Sequence, residues 1–504
     1  MIVLAVDLGT TALKAVLADE VGRTIATAAS GYDTTGDREG FAEQEPAAWW
    51  EALCTACGEL KQQATAEFAA IDVISLCGQM HTHVYLGSDG RPLRGAISWL
   101  DQRSSRITAS LSETQETADL IRQESANAVT TTYTAPNILW IQQNEEETWR
   151  KTRHILVAKD YLKYLLTGNM VSDYSEAAGT LLFNVPEARW SEPLLRLFKT
   201  PREYLPELGS AATVIGSVRR EAAAATGIAE GTPVVNGATD NSTAALGAGV
   251  TQAGEATLII GTAGVVSVCS DRPIPDPSGA VVCWNYALEN RWINLGVMQT
   301  AGESLNWFRR AFDKDEIGSG EDIFSRYDEL VETVPDGSGG LLFLPYLNGE
   351  RTPYWDADAR GVFFGAGLGT EKAHFIKAVM EGVAMALRSN ADTVEALGQQ
   401  IGVVRAVGGG LRSKPWLSIL SRVLEKPIHL ITSVEPSARG NVALGRAGLG
   451  DVSGPEEVVK DSGGVEKLID PPGEHSYDQR YQLFLDLYKH LKPMFRKRAA
   501  LYSA

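Results

Sequence analysis

Cysteine is scarce. Five residues (Cys54, Cys57, Cys77, Cys269 and Cys283) are scattered over 504, and an odd, dispersed set does not make a disulfide framework. Cys54 and Cys57 form a C-x-x-C, but the helical pattern around them has no second Cys/His pair, so the two thiols read as core packing rather than zinc or redox chemistry. Positive charge is also short: 46 lysines and arginines stand against 63 aspartates and glutamates, a formal net charge of −17. Such a surface repels a phosphodiester backbone, which argues against nucleic acid as a partner and leaves any anionic ligand dependent on a local site. No apolar run approaches the roughly 20 residues needed to cross a bilayer. Residues 1–6 meet Asp7 at once, without the basic start, apolar length or cleavage site of a secretory leader, so a cytoplasmic protein is expected. Neither a G-x-x-x-x-G-K-[ST] loop nor the protein-kinase motif set is found, which leaves phosphate hairpins as the remaining way to hold a nucleotide.

What is present is an ordinary globular mixture, 44% hydrophobic and 22% charged. At roughly 100–200 residues per domain, the length predicts two large domains or three to four small ones. Residues 2–8 read as a buried strand entering a glycine turn, with 12–18 as the return strand of a β-hairpin. Residues 47–69, 116–124 and 154–166 have helical spacing, the last stopped by Gly168. Residues 72–86 hold two apolar runs around Gly78-Gln79-Met80-His81, a strand whose end carries a polar cluster. Residues 256–266 repeat the strand–glycine–strand pattern. Sliding the first hairpin onto the second puts Gly9 on Gly261, Thr10 on Thr262, Val16 on Val268 and Asp19 on Asp271, but Asp7 on Ile259. Chance and internal duplication both account for that match. The expected division is 1–245 and 246–504, with the last helix free to pack back on the first domain.

Phosphoryl transfer asks for backbone donors around phosphates, a carboxylate for a cation, and a base for the attacking hydroxyl. Asp7-Leu8-Gly9-Thr10-Thr11 with Lys14 suits the first two, although a tight hairpin with an Asp-capped turn would look the same. Asp240, in the small-residue loop Gly237-Ala238-Thr239-Asp240-Asn241 after an apolar strand, can approach a hydroxyl unhindered; a helix N-cap is its other reading. Gln79 and His81 alternate with Met80, offering an amide, an imidazole and an apolar face as a polyol site would. His81 and His83 lack the companions a metal site needs. Glu350 and Arg351 are expected to pair with other groups and fix their loop rather than react, Asp356, Asp358 and Arg360 to form a solvated turn, and Tyr346, Tyr354 and Trp355 to serve as core or as a ligand platform. Gly408-Gly409-Gly410 lies between an apolar run and the helical 414–424, where a helix N-terminus favours phosphate or ribose.

Taken in order, Asp7-Leu8-Gly9-Thr10-Thr11, Gly78-Gln79-Met80-His81, Trp99-x-Asp101-x-Arg103, the 237–241 loop, Gly261-Thr262, Leu344-Pro345-Tyr346-Leu347-x-Gly349-Glu350-Arg351-Thr352-Pro353 and Gly408-Gly409-Gly410 resemble the FGGY family of carbohydrate kinases, over residues 2 to about 450. The resemblance implies an α/β protein: two ribonuclease-H-like domains of the actin/hexokinase ATPase type around a central cleft, with ATP and Mg²⁺ in it and closure around the sugar. Among family members the set most resembles those acting on D-xylulose, so the expected reaction moves the γ-phosphoryl group of ATP to its terminal hydroxyl, giving D-xylulose 5-phosphate. Another ketose or polyol is the alternative, and an actin- or chaperone-type ATPase switch is a reading from a different class. By the same resemblance Asp7 holds Mg²⁺ through water, Thr10, Thr11, Lys14, Gly261 and Thr262 lie near the phosphates, and Gly408, Gly409 and Gly410 admit the adenosine. Gln79, Met80, His81 and Asn241 line the sugar site, with Asp240 the catalytic base. A homodimer is left open. The chain departs from the family pattern at Thr82, where glycine is usual, at Ala238-Thr239, and at Gly440-Asn441-Val442-Ala443-Leu444-Gly445.

Overall fold

Burial of the strand Ile2–Leu8 at all positions but Ile2 and Asp7 makes it a central strand rather than an edge. The computed structural model describes residues 1–314, 322–431, 435–460, 465–471 and 476–502. It divides into two compact units, Met1–Thr251 with Cys269–Ile293 and Ser433–Gly464, and Gln252–Val268 with Asn294–Thr432 and Val465–Ala504.

In the first unit Ile2–Leu8 pairs antiparallel with Ala12–Asp19, as the hairpin pattern predicts, and parallel with Ile71–Gly78. The sheet runs Val214–Ser217, Pro233–Val235, Ile71–Gly78, Ile2–Leu8, Ala12–Asp19, Thr24–Gly31, with Ala238–Thr239 also on Ile71–Gly78. Alternation splits the hairpin between two faces. Leu4, Val6, Leu8, Leu13, Ala15 and Leu17 join Trp49, Leu53 and Leu60 of helix Pro46–Gln63 and Leu162 and Leu166 of helix Ala158–Thr167 in one core. Ala5, Asp7, Lys14 and Val16 face Ser437, Ala438 and Asn441 of helix Pro436–Gly448 instead. That helix crosses helix Asp240–Gly247 closely: a Cβ on Gly247 would lie 1.8 Å from the Pro436 carbonyl oxygen.

Two helical expectations need correction here. Residues 47–69 are two helices, Pro46–Gln63 and Thr65–Ala69, because Ala64 leaves helical space (φ −145°, ψ 67°) and lets Phe68 turn into the core. Residues 154–157 are a strand, His154–Val157, since the apolar Ile155-Leu156-Val157 pairs with His83–Leu86; the helix begins at Ala158 and stops at Gly168, as expected, with φ 82°.

The second unit repeats the plan. Glu255–Ile260 pairs antiparallel with Gly264–Ser270 and parallel with Val403–Val407, followed by Ile428–Ile431 parallel and Val465–Ile469 antiparallel. Helix Lys414–Leu424 has the expected bounds, with the Ser413 hydroxyl accepting from Trp416 N as its N-cap. Of residues 341–353 only Leu342–Leu344 is a strand. Asp356 is buried rather than solvated, because Tyr488 of the C-terminal helix Asp478–Tyr502 donates its hydroxyl to Oδ2 at 2.7 Å. Tyr354 stacks on Tyr488 at 3.6 Å and Tyr346 meets both edge-on, so these rings are core.

Candidate active site

Parallel pairing sets the register of three strand ends in the first unit. Asp7 lies opposite Cys77 and Leu8 opposite Gly78, while on the other side Ala238 lies opposite Cys77 and Thr239 opposite Gly78. The next residues along the three strands are therefore Gly9, Gln79 and Asp240. The carboxyl ends of parallel strands are where open α/β sheets bind their ligands.

At the hairpin, Gly9 N donates to Ala12 O at 3.0 Å and closes the turn that carries Thr10 and Thr11. Gln44 steadies it from outside: its Nε2 donates to Thr10 O at 2.7 Å, and its Oε1 accepts from Gln79 Nε2 at 2.8 Å. Trp99 Nε1 donates to Thr10 Oγ1 at 3.0 Å. Thr11 is exposed at the tip. Lys14 faces Asp7 across the hairpin and pairs with Glu435 at 2.6 Å. The Asp7 carboxyl is held above its usual range by burial, against hydrogen bonds from Ser437 and Cys77, and with the Glu435 charge adding to the rise. Asp7, Lys14, Glu435 and Ser437 border a cavity of about 10 Å³.

Asp240 is the first residue of helix Asp240–Gly247, and the N-cap is Thr239, whose hydroxyl accepts from Ser242 N. The Asp240 carboxyl is thus not the cap; its Oδ1 accepts from Asn241 N at 2.6 Å. Burial, then the charge of Asp7, pushes it up to about 7. A carboxyl poised there can take a proton at neutral pH.

On the polar cluster, Gln79 has both ends of its amide engaged, with Gln44 and with the Thr82 hydroxyl at 3.1 Å. The Thr82 hydroxyl therefore ties the loop to Gln79. His81 has φ 69°, and its Nδ1 donates to Gly179 O at 2.6 Å. Its ring lies edge-on to Tyr133 and Trp284, at 5.1 and 5.5 Å. His83 is fully buried and pulled down to about 3 by that burial, so it stays neutral. Among the described residues no group of three or more His, Cys, Asp or Glu side chains is placed to hold a metal.

In the second unit the equivalent edge is assembled from Gly261, Thr262 and the glycine triplet. Gly261 N donates to Ala263 O at 3.0 Å, and the Gly261 and Thr262 carbonyls accept from Gly302 N and Ala301 N, both at 2.9 Å. Gly408 has φ 125°, and a Cβ there would lie 2.5 Å from Ile260 O; a Cβ on Gly410 would lie 2.7 Å from Ile260 Cγ2. Gly409 opens a 3-10 turn to Arg412. Glu350 Oε1 accepts from Gln299 N at 3.0 Å and Arg351 N at 2.7 Å, fixing its loop, and burial pushes its carboxyl up to about 8.

Gln44, Ser437, Glu435, Tyr133 and Trp284 border this site without a sequence signal of their own. Each reaches it through long-range packing.

An acidic strand end with a poised carboxyl beside a polar loop, and a glycine-lined strand end on a second sheet of the same plan, suit a phosphotransferase of the α/β class. The family models for the N-terminal and C-terminal domains of the FGGY family of carbohydrate kinases match residues 2–247 and 256–449, and the chain belongs to that family. It is 31% identical to the xylulose kinase of Bacillus subtilis, over 97% of this chain and 96% of that one. It is 30% identical to the gluconokinase of the same organism, over 89% and 88%. The crystal structure of ligand-bound xylulose kinase from Lactobacillus acidophilus superposes with a TM-score of 0.91 at 27% identity, covering 98% of this chain and 99% of that one. The expected two-domain α/β fold is therefore found, and the protein is an ATP-dependent carbohydrate kinase.

Proposed function

We propose that this kinase phosphorylates D-xylulose at its terminal hydroxyl. The observation that carries the reading is the row formed by Gly9, Gln79 and Asp240: a phosphate-type turn, a polyol-type loop and a carboxyl near neutrality at three adjacent strand ends. Asp240 takes the hydroxyl proton as the sugar oxygen bonds to the γ-phosphorus, the bond from that phosphorus to the β,γ-bridging oxygen breaks, and ADP leaves with the bridging oxygen; the proton stays on the Asp240 carboxyl until product leaves. Asn241 and His81 orient the sugar, Met80 supplies an apolar wall, and Gln79 holds that loop in place.

Thr10, Thr11 and Lys14 are assigned to the phosphates, as are Gly261 and Thr262 in the second unit, with Gly408, Gly409 and Gly410 assigned to the adenosine. A divalent cation fits the donor set at Asp7, because one carboxylate with neighbouring hydroxyls suits Mg²⁺ that keeps its waters and binds mainly through phosphates. When bound there it would neutralise charge on the transferred group.

Gluconate is the competing substrate by relationship. Its carboxylate would need a cation of its own; Lys14 is assigned to the phosphates, and Arg103 is engaged with Asp101 and Glu43. A neutral ketose meets no such demand. Among the described residues no helix is long and apolar enough to cross a membrane, which fits the cytoplasmic setting we assign to it. Coupled ATP-consumption assays with Mg²⁺ should show strong stimulation by D-xylulose and little by gluconate; the reverse ranking would move the substrate, and no stimulation by any sugar would remove the kinase reading of the site.

A further inference from the structure

A charged cluster lies beneath the loop that carries Asp240, wholly inside the first unit. Lys159 and Lys163, one turn apart on helix Ala158–Thr167, are fully buried, as are Asp160, Asp173, Glu176 and Asn236. Lys159 Nζ sits 3.0 Å from carboxylate oxygens of both Asp160 and Asp173, and Lys163 Nζ 2.7 Å from Asp160. Glu176 has no hydrogen-bond partner at either carboxyl oxygen, and burial pushes it well above the usual carboxylate range. Held neutral, it leaves two ammoniums balanced by two carboxylates.

Burying four charges is expensive, and apolar residues of similar volume often serve stability as well or better. Where the cluster's hydrogen bonds go points to another use. Both ammoniums donate to the backbone carbonyl of Asn236, Lys159 at 3.1 Å and Lys163 at 2.9 Å, and Lys163 also reaches the Asn236 side-chain oxygen. The Asn236 amide donates in turn to Ser172 O and Gly209 O at 3.1 Å. A second line leaves from Asp173, which caps helix Tyr174–Ala178 by accepting from Ser175 N at 2.9 Å and also accepts the Ser175 hydroxyl. The Ser175 Oγ then accepts from Thr239 N at 3.1 Å. Between the two anchors Gly237, at φ 72°, lies so close to Leu76 O that a Cβ would stand 1.8 Å from it. The backbone is thus gripped at Asn236 and again at Thr239, the residue before Asp240.

We infer that this buried cluster is a positioning device for the general base: Lys159, Lys163, Asp173 and Ser175 fix the 236–239 backbone so that the Asp240 carboxyl meets the attacking hydroxyl. The inference rests on the assignment of Asp240 as base. These residues touch no reacting atom and act through Asp240.

Ser175→Ala removes the grip on Thr239 N without stranding a charge. It should lower kcat roughly 10- to 100-fold, the scale of a misplaced catalytic group, with KM for ATP and for D-xylulose within about twofold of the parent and a cooperative thermal melt. The paired change Lys163→Met with Asp160→Asn, which removes one cation and one anion together, should act the same way and stands in if Ser175→Ala does not fold. Each is repeated in the Asp240→Asn background, where a group acting only through Asp240 has nothing left to position and kcat should fall no further. If the losses add in that background, or if kcat in both variants matches the parent, the positioning inference is overturned. If Asp240→Asn alone keeps most of the parent kcat, the base assignment fails instead, and the two failures are distinct.

Discussion

Asp7 pairs with Cys77 across parallel strands of the first unit, and Ile259 pairs with Val407 at the same place in the second. Beyond that point the first strand pair continues into Gly9 and Gln79-Met80-His81, the second into Gly261 and Gly409-Gly410. Lys14 of the first hairpin corresponds to Val266 of the second, and Thr11 to Ala263. Even the turns differ slightly: Gly9 N bonds Ala12 O, whereas Gly261 N bonds Ala263 O, one residue tighter. One backbone plan therefore presents charge and polar side chains in one copy and bare backbone in the other. The first edge suits a proton and a cation; the second suits a large ligand brought close to the main chain. That asymmetry, over a shared strand order, is what a duplicated scaffold with divided labour would look like.

The largest test of the comparison is Asp240→Asn. If the first edge is where chemistry happens, kcat should fall by about 10²–10⁴, the usual contribution of a general base, while the ATP KM stays close to the parent. Steady-state assays at saturating D-xylulose decide it, and a variant retaining more than a tenth of kcat would return the chemistry to some other residue. The pH dependence follows from the same group. A base must be ionised to act, and burial with the Asp7 charge pushes the Asp240 carboxyl up to about 7, so if Asp240 is the base kcat of the parent should climb between about pH 6 and 8 and then level. The stability effect has the opposite sign. A carboxyl raised in the fold binds its proton more tightly than in the unfolded chain, so its contribution to stability is present at low pH and lost as pH rises from about 4 through 7. Asp240→Asn should accordingly melt higher than the parent at pH 8 and alike at pH 4.

Next in size is the pair Gly408→Ala and Gly9→Ala. Alanine at 408 needs φ 125° and brings its Cβ within 2.5 Å of Ile260 O, whereas at 9 the nearest atom is Ala12 O at 3.1 Å with no positive φ required. Overpacking of the first kind typically costs about 1–3 kcal/mol. The second should stay within about 1 kcal/mol of the parent. Urea denaturation of both measures the difference, and equal losses would show that the two edges are not so different in their demand for bare backbone.

Much of this was legible in the sequence where a signal is local. An apolar run meeting Asp7-Leu8-Gly9 predicts the hairpin, helical spacing over 414–424 predicts that helix, and the order of short motifs identifies the family. Local signals failed where tertiary partners decide. Residues 154–157 carry a helical spacing yet form a strand, because the edge of His83–Leu86 is there to receive them. Asp356 sits in a charged stretch yet is buried, because a tyrosine from the C-terminal helix covers it. Lys159 and Lys163 would pass for the solvated face of a helix, since their partners Asp173 and Asn236 come from separate elements. Ser437 reaches Asp7 only because the chain returns to the first unit near its end. Motif order located the strand ends, and packing alone supplied what surrounds them.

The smallest expected effect on the fold separates charge from scaffold at the first hairpin. Lys14 bonds Glu435 at 2.6 Å with both side chains substantially exposed, 36% and 50%. Exposed pairs of this kind contribute about 0–1 kcal/mol. The second hairpin shows that the same plan folds with valine in that place, so Lys14→Met should leave the urea midpoint almost unchanged. If Lys14 serves the phosphates as proposed, the cost of the substitution should appear elsewhere, as a raised KM for ATP that grows less marked at high salt, because salt screens the charge the lysine supplies. A KM for ATP equal to that of the parent at low ionic strength would leave Lys14 with no role beyond its surface pair, and would make the chemical difference between the two hairpins rest on Asp7 alone.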